Sequence, residues 1–325
     1  MSALPSAPNS LSINQIAQEF GGDTPHAISE YYAGGSIVPA GTQGEGGGIA
    51  SSGSISIGDF FGSRQRVTIN LTISSNTQGY QISQQRGGTY EAGFTDIVLT
   101  NNAQVGSTAV GTAGIYTGTA PNYASGDTVK IINAGHIRGR GGNGGAGMAN
   151  NGTGVAAGQI AGDAIETTFP LTVVNNSGAK LLGGGGGGGG AGRGSTVQPG
   201  QPGNPPTQSG GKSQGQQPGQ PSNPPATQFF GGGGGGGGAG NQVGSGGAGG
   251  SSQGQAGQAG GADSGGGGGD TTGQTNPNGG AGGAVGAAGA AGQQGGAAGA
   301  AGHAIESNSN QITLQNSGQT AGATS

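Results

Sequence analysis

The residues that could carry out chemistry are few and widely spaced. The three histidines, His26, His136 and His303, lie far apart in the sequence, and the chain has no cysteine. Disulfides, thiolate metal sites and cysteine nucleophiles are therefore excluded. Nothing in the spacing of the histidines indicates a metal site, and no local context indicates a Ser/His/Asp set. We predict a protein that is not an enzyme and that needs no cofactor or metal.

Three weaker candidates for ligand binding remain. Gly210 to Ser213, with Lys212, resembles the end of a P-loop, but Pro206 stands where the motif requires glycine, so we reject phosphate binding. His136 lies beside two arginines and could bind an anion, although we favour a role in capping a strand end. Asp163 with Glu166 could hold a cation.

The composition is dominated by glycine. Of 325 residues, 86 are Gly and 15 are Pro, and only 7% are charged. Glycine at this level without a strict triplet is typical of disordered, low-complexity chains. Such chains are usually rich in charge, however. Because charge is scarce here, we predict instead that the glycine-rich half packs backbone against backbone.

Charge and hydropathy exclude several classes of partner. The net charge of −4 provides no electrostatic surface for nucleic acid. No segment approaches the ~20 apolar residues of a membrane span. Residues 1–20 lack the basic and apolar regions of a signal peptide, so we expect synthesis in a cytoplasm. Any location outside the cell would then be reached by another route, such as release within a larger particle.

Two runs of eight glycines organise the C-terminal half. Residues 183–190 follow Leu181-Leu182, residues 231–238 follow Phe229-Phe230, and Ala-Gly follows each run. Between residues 283 and 302 glycine recurs mostly at every third position. Three residues per turn is the period of polyproline II, the conformation that glycine chains adopt as polyglycine II. We predict a polyglycine II sandwich, with the octets as its central helices.

A smaller β region precedes the glycine runs. Val67, Ile69, Leu71 and Ile73 alternate with polar residues, and further strands are predicted at 96–100, 109–117 and 128–132. We predict that these strands form a small antiparallel β domain. The fold class is then mostly β plus polyglycine II.

Internal repeats link the two regions. A strand followed by Asn-x-Gly recurs at Asn133, Asn176 and Asn316, and residues 162–166 match residues 302–306 at an offset of 140. A strand therefore enters the glycine region, and an equivalent strand at 311–316 closes it.

The N-terminal region contains short helical turns, predicted near 12–20, 27–32 and 56–61. Ser12 with Gln15, and Ser56 with Asp59, have the spacing of capping boxes. So short a region can bury little apolar surface. We therefore predict that its aromatic residues dock on a larger assembly, with a cap on the next domain as the alternative. These residues are Phe20, Tyr31, Tyr32, Phe60 and Phe61.

The N-terminal pattern resembles a module of tailed-bacteriophage virion proteins. Leu11-Ser12-Ile13, Glu19-Phe20-Gly21, Ser29 to Tyr32 and Ile55 to Gly62 carry the resemblance. The glycine runs with their flanking strands are similar to the glycine-rich adhesins at the tail-fibre tips of T-even-type phages.

That second resemblance implies a specific arrangement. A stacked polyglycine II layer would present variable loops to a host receptor, while the N-terminal part attaches to a tail-fibre or tail-tip protein. The loops would be residues 193–228, 241–252 and 262–279. Their polar side chains leave an outer-membrane protein or a glycan open as the receptor. The candidate contact residues are Gln201, Asn204, Lys212, Gln220, Asn223, Asn276 and Asn278.

The predicted organisation is an attachment region at 1–63, a small β domain at 64–135 and a glycine-rich domain at 136–325. We expect a receptor-binding adhesin in the virion, made in the host cytoplasm, that binds no nucleic acid and inserts into no membrane. A purely structural tail-tip or fibre component is the alternative. An ice-binding or surface-coat polyglycine II protein is a third.

Overall fold

A computed structural model describes residues 3–119, 122–149, 153–192, 194–198, 226–230, 238–250, 254–270 and 277–325. The N-terminal part contains helix α1 (Ile13–Phe20), the 3-10 turns Ile28–Tyr31 and Ile57–Phe60, and a small antiparallel pair of strands, β1 (Gln43–Gly44) and β2 (Gly47–Gly48). Capping boxes at Ser12 and Ser56 begin α1 and the second turn, because each serine and the residue three positions later satisfy free N–H groups. No helix of the described residues is both long and apolar enough to span a bilayer.

Three parallel sheets form the centre of the molecule. The first contains β3 (Val67–Ile73), β6 (Thr95–Asn101), β9 (Thr128–Asn133), β12 (Leu171–Asn175) and β17 (Ile312–Asn316). The second contains β4 (Thr77–Gln78), β7 (Gln104–Gly106), β10 (His136–Arg138), β13 (Lys180–Leu182) and β18 (Gln319–Ala321). The third contains β5 (Tyr80–Gln81), β8 (Ile115–Tyr116), β11 (Ile165–Glu166) and β16 (Ile305–Glu306). A short helix, α2 (Ile82–Gln85), follows β5.

The order of pairing makes these sheets a solenoid. The chain visits the first, second and third sheet in turn, and each coil stacks in register on the previous one, as in Ile97↔Val129 and Val129↔Leu171. Inward-facing side chains such as Leu99, Ile131 and Val173 form one apolar column in the solenoid interior.

The predicted antiparallel β domain is wrong, because β3, β6 and β9 pair in parallel. Alternation of apolar and polar residues reports that one face is buried, and it is the same for either strand direction. Parallel pairing needs a long return connection, and the segments that separate the predicted strands supply it. The first sheet also pairs β9 with β12, so strands on both sides of residue 135 share one sheet.

A ladder of asparagines, of which Asn101, Asn133 and Asn175 are buried, marks the corner between the first two sheets. Asn101 Nδ2 donates to Asn133 Oδ1, Asn133 Nδ2 to Asn175 Oδ1, and Asn175 Nδ2 to Asn316 Oδ1, each at 2.8 Å. The repeat predicted from Asn176 is therefore displaced by one residue. Asn175 occupies the register position of Asn133 and Asn316, because the turn that follows it is two residues longer. Four residues separate Asn175 from Lys180, whereas two separate Asn133 from the paired His136.

The glycine-rich segments are insertions at one corner of the solenoid. Residues 139–164 connect β10 to β11, and residues 183–304 connect β13 to β16. Since Ile165 pairs with Ile305, both insertions return to adjacent coils in register. This explains why residues 162–166 match residues 302–306 at an offset of 140.

The predicted polyglycine II sandwich is not shown. In the described residues the glycine segments belong to no assigned helix or strand; they are joined by backbone hydrogen bonds that recur at every third residue. Gly186, Gly189 and Gly192 donate to the carbonyls of residues 287, 290 and 293 at 2.8–3.0 Å. The glycine period in the sequence reflects close contacts between neighbouring segments. A repeat of three residues does not by itself show that those segments are helices of a particular type.

Candidate functional site

The two glycine insertions leave the solenoid side by side. Gly139 donates to the Leu182 carbonyl, and the same parallel register continues through Gly142 to Gly185, Gly145 to Gly188 and Met148 to Ala191, all at 2.8–2.9 Å. Both segments therefore reach the far end of the glycine region together, near Met148 and Ala191. We call this the distal end.

Two further segments run back from the distal end to the solenoid. Gly190, Gly187 and Gly184 donate to the carbonyls of residues 156, 159 and 162, so this neighbour is antiparallel. Gly296, Gly299 and Gly302 donate to the carbonyls of residues 190, 187 and 184 in the same sense. Ala149 and Thr153, which are joined by a 2.7 Å backbone hydrogen bond, and the chain reversal at 292–296 therefore lie at the distal end as well.

The long loop predicted at 193–228 is attached at the distal end. Gly192 donates to the Gln293 carbonyl at 2.8 Å. Strand β14 (Gly194–Gln198) follows directly and pairs antiparallel with β15 (Ala226–Phe230). Five of the predicted contact residues lie in the chain between these strands: Gln201, Asn204, Lys212, Gln220 and Asn223. These five and Asn276 lie outside the described residues.

Asn278 is the predicted contact residue that the structure describes, and it lies at the distal end. Its N–H donates to Gln293 Oε1 at 3.1 Å, and its carbonyl accepts the Gln293 N–H at 3.0 Å. Its Oδ1 is buried and has no hydrogen-bond partner among the described residues. The neighbouring Gln294 is exposed at φ 48°, a left-handed conformation that side chains other than glycine adopt infrequently.

The other two predicted loops divide between the ends of the glycine region. Gly147 donates to the Ala248 carbonyl, which places residue 248 near the distal end. By contrast, Asn241 contacts Gln104, and Asp263 Oδ1 lies 2.9 Å from Arg138 Nη1. Gln104 and Arg138 belong to the solenoid, so residues 241 and 263 lie at the opposite end. The sequence analysis did not predict this division. A chain that runs out and back about every ten residues makes successive turns at opposite ends, so a single predicted loop can contain one turn at each end.

The predicted docking aromatics form a core within the N-terminal part. Phe20, Tyr31 and Phe60 are buried, and the Phe60 ring makes edge contacts with the other two at centroid distances of 6.0 and 6.2 Å. Tyr32 and Phe61 remain half-buried, and the Tyr32 hydroxyl donates to the Gly53 carbonyl. Three of the five rings thus pack inside this part of the chain.

The charged candidates from the sequence make contacts with their neighbours. His303 Nδ1 lies 3.2 Å from Asp163 Oδ1 and 2.9 Å from Glu306 Oε2, beside the β11–β16 pair. Burial raises the pKa of Asp163, against the opposing effect of hydrogen bonds from His303. Burial lowers the pKa of His136, and the nearby positive charges of Arg138 and Lys180 lower it further. Among the described residues, no set of three or more His, Asp and Glu side chains could hold a metal ion.

An ion pair joins the first two coils of the solenoid. Arg66 donates to both carboxylate oxygens of Asp96, at 2.8 and 2.6 Å, and the Thr128 hydroxyl donates at 2.6 Å. Burial alone would raise the pKa of Asp96, but the hydrogen bonds from Arg66 and Thr128 and the Arg66 charge outweigh it, so this pKa lies below its ordinary value.

We expect Asp96→Asn to destabilise the protein at pH 7 by about 2 kcal/mol, the usual contribution of hydrogen bonds to a charged group. Because the pKa of Asp96 is lower in the folded than in the unfolded state, the carboxylate stabilises the folded protein at pH values above the ordinary aspartate pKa of about 3.9. This stabilisation is lost as the pH falls through the pKa of the folded state. The difference between wild type and variant should therefore shrink below about pH 4. Urea unfolding at several pH values measures it, with the exposed Asp23→Asn as control. A difference that does not change with pH would contradict the assignment.

Comparison with known proteins identifies the family. The family model described as "Phage tail fibre adhesin Gp38" matches residues 66–229, half of the chain. The chain belongs to the Gp38 family of phage tail fibre adhesins. The predicted function of a receptor-binding tail-fibre adhesin is thereby confirmed, and the protein is a component of the virion tail fibre.

A solved structure is also similar to this Gp38 adhesin. A chain in the crystal structure of the gp37–gp38 adhesin tip complex of the bacteriophage S16 long tail fibre is 23% identical to it. The alignment covers 85% of this chain and 88% of that chain, with a TM-score of 0.49. No curated protein gives a significant match.

The part of the adhesin that the Gp38 family model matches contains the solenoid strands from β3 to β13 and the first glycine octet, but not β16, β17 and β18. Sequence reasoning recognised the octet but missed the asparagine ladder at Asn101 and Asn175. A signal for the ladder was present, because an asparagine ends each of β6, β9, β12 and β17.

Proposed function

We propose that this Gp38 adhesin binds the host cell surface through the distal end of its glycine region and that it catalyses no reaction. The observation that carries the proposal is that Ala149 with Thr153, the chain reversal at 292–296 and the base of the β14–β15 pair lie together at one end. These segments contact the buried run 183–192, whose dense backbone hydrogen bonds hold it in place. Loops attached to an ordered base lose less conformational entropy when they bind. An outer-membrane protein and a glycan both remain possible receptors.

The attachment of the adhesin to its fibre is proposed to use residues 1–63. Phe20, Tyr31 and Phe60 keep the shape of this part, while the half-buried Tyr32 and Phe61 can contact a tail-fibre protein. Ile57, 37% exposed, adds apolar surface that a partner would cover. We expect the adhesin to be made in the host cytoplasm and to reach the exterior on the released virion.

Shortening the distal loop tests the receptor site. Because β14 and β15 pair antiparallel up to Gln198↔Ala226, residues 199–225 can be replaced by Asn-Gly, which closes a two-residue hairpin. We expect phages that carry this variant to assemble normally but to adsorb at least about tenfold more slowly, since a few contacts dominate a typical interface.

The matched control is Ala287→Gln, which adds an exposed polar side chain at the solenoid end of the glycine region. Its adsorption should equal that of wild type. Normal adsorption by the loop-shortened phage would instead indicate that the glycine region has a purely structural role.

A further inference from the structure

A small pocket opens on the outer face of the second sheet, where the solenoid meets the glycine region. It has a volume of about 140 Å³ and is lined by Asn76, Thr77, Gln78, Gln104 and Asn241. The first four residues belong to the first two coils, whereas Asn241 comes from the glycine region. The pocket therefore exists only when the two parts are folded together.

The position of Asn241 depends on the glycine at position 106. A Cβ atom at Gly106 would overlap the Asn241 amide, so glycine at this point of β7 leaves the space that Asn241 fills. The Asn241 N–H donates to the Gly139 carbonyl at 2.9 Å, and Gln104 Nε2 donates to Asn241 Oδ1. On the other side, Asn76 Oδ1 accepts the Gln104 N–H at 3.0 Å. The side-chain amides are thus held in place before any ligand arrives.

The five residues that line the pocket are all of polar, uncharged types. Side-chain amides and hydroxyls both donate and accept hydrogen bonds, which suits the hydroxyl groups of a sugar. No hydrophobic or aromatic residue lines the pocket, whereas such residues dominate the lining of most ligand pockets. The site therefore favours a polar ligand over an apolar one. The volume of about 140 Å³ is several times the roughly 10–15 Å³ that one bound water needs, and the pocket is open to solvent, so it can admit part of a sugar ring.

A positive charge lies along the same face. Gln104, His136 and Lys180 occupy one register column of the second sheet. Their side chains face outward, because the next residue of each strand is buried. Adjacent strands are ~4.8 Å apart, so Lys180 lies about 10 Å from Gln104 along the sheet. Among the described residues, Arg138 is paired with Asp263 but Lys180 forms no ion pair.

We propose that this face is a glycan subsite of the adhesin. The amide pocket holds part of one sugar ring, and Lys180 pairs with an acidic group on the neighbouring sugar. The subsite lies on the solenoid and is separate from the distal end, so it does not depend on the receptor site proposed there.

Saturation-transfer NMR on the full chain tests the subsite with two related disaccharides, cellobiuronic acid and neutral cellobiose. We expect both to bind, and the acid about threefold more tightly, because an exposed ion pair contributes little. Gln104→Ala should weaken both disaccharides by about tenfold, since it removes an amide that lines the pocket and holds Asn241. Lys180→Gln should remove only the preference for the acid.

Gln78→Ala serves as a second pocket variant in case Gln104→Ala does not fold, and Gln315→Ala, on an exposed position of the first sheet, is the matched control. Binding of neither disaccharide would overturn the subsite, as would binding that survives both pocket variants. Equal binding of the two disaccharides would overturn the role of Lys180. None of these outcomes depends on phage adsorption, so they are distinct from a failure of the distal-end proposal.

Discussion

Replacing Gly187 with valine is expected to destabilise the glycine region by about 3 kcal/mol or more, at the upper end of the cost of overpacking a core. Gly187 lies in the middle of the buried run 183–190. A Cβ atom there would overlap the carbonyl oxygen of Asn143, and backbone cannot move aside as a flexible side chain can. The Gly187 N–H also donates to the Gln159 carbonyl at 2.9 Å, and its carbonyl accepts from Gly299 at 2.8 Å. A displaced Gly187 would therefore disturb three neighbouring segments together.

Calorimetric unfolding measures this effect, and Gly267→Ala is the matched control. A Cβ atom at Gly267 would meet only the end of the Gln258 side chain, at 3.3 Å. We expect the control to unfold like wild type. If Gly187→Val unfolded like the control, the close contacts around the central run would not determine the stability of this region.

The second large effect is expected at the asparagine ladder. Asn133 is fully buried and accepts from Asn101 while donating to Asn175 Oδ1 and, at 3.1 Å, to the Lys180 carbonyl. Asn133→Leu would leave these three partners unsatisfied. Since an unsatisfied buried polar group costs about 1–3 kcal/mol, we expect a loss of about 4 kcal/mol in the free energy of unfolding.

Urea unfolding monitored by circular dichroism measures this loss. Asn70→Leu is the matched control, because Asn70 is an exposed residue of β3. It should change the stability by less than about 0.5 kcal/mol. A loss below about 1 kcal/mol for Asn133→Leu would contradict a ladder whose members depend on one another.

The sequence predicted where strands lie better than how they pair. Alternation at Val67 to Ile73 correctly marked β3, and the Ser12 and Ser56 caps correctly marked helical turns, because these signals are local. Strand direction depends on the path of the connection between strands, and no residue of β3 or β6 encodes it. The register error at Asn176 has the same origin, since the length of a turn decides which of two adjacent asparagines joins the ladder.

The candidate site was predictable in part. Glycine at every position of 183–190 correctly indicated a run surrounded by backbone. Asn278 lies at the distal end, and its role as a receptor contact stays a prediction. The sequence could not separate distal from proximal turns, because Asn241 and Asn278 follow similar glycine segments. Only the number of reversals between them decides at which end each one lies.

The corner at which both glycine insertions leave the solenoid has an evolutionary consequence. Each insertion departs and returns at fixed register positions, such as Ile165 beside Ile305. Whole out-and-back pairs of segments can be gained, lost or exchanged between related phages without shifting a coil. Selection for a new host can then act on the length and sequence of the insertions, while the end of the molecule that joins the particle remains under separate constraint.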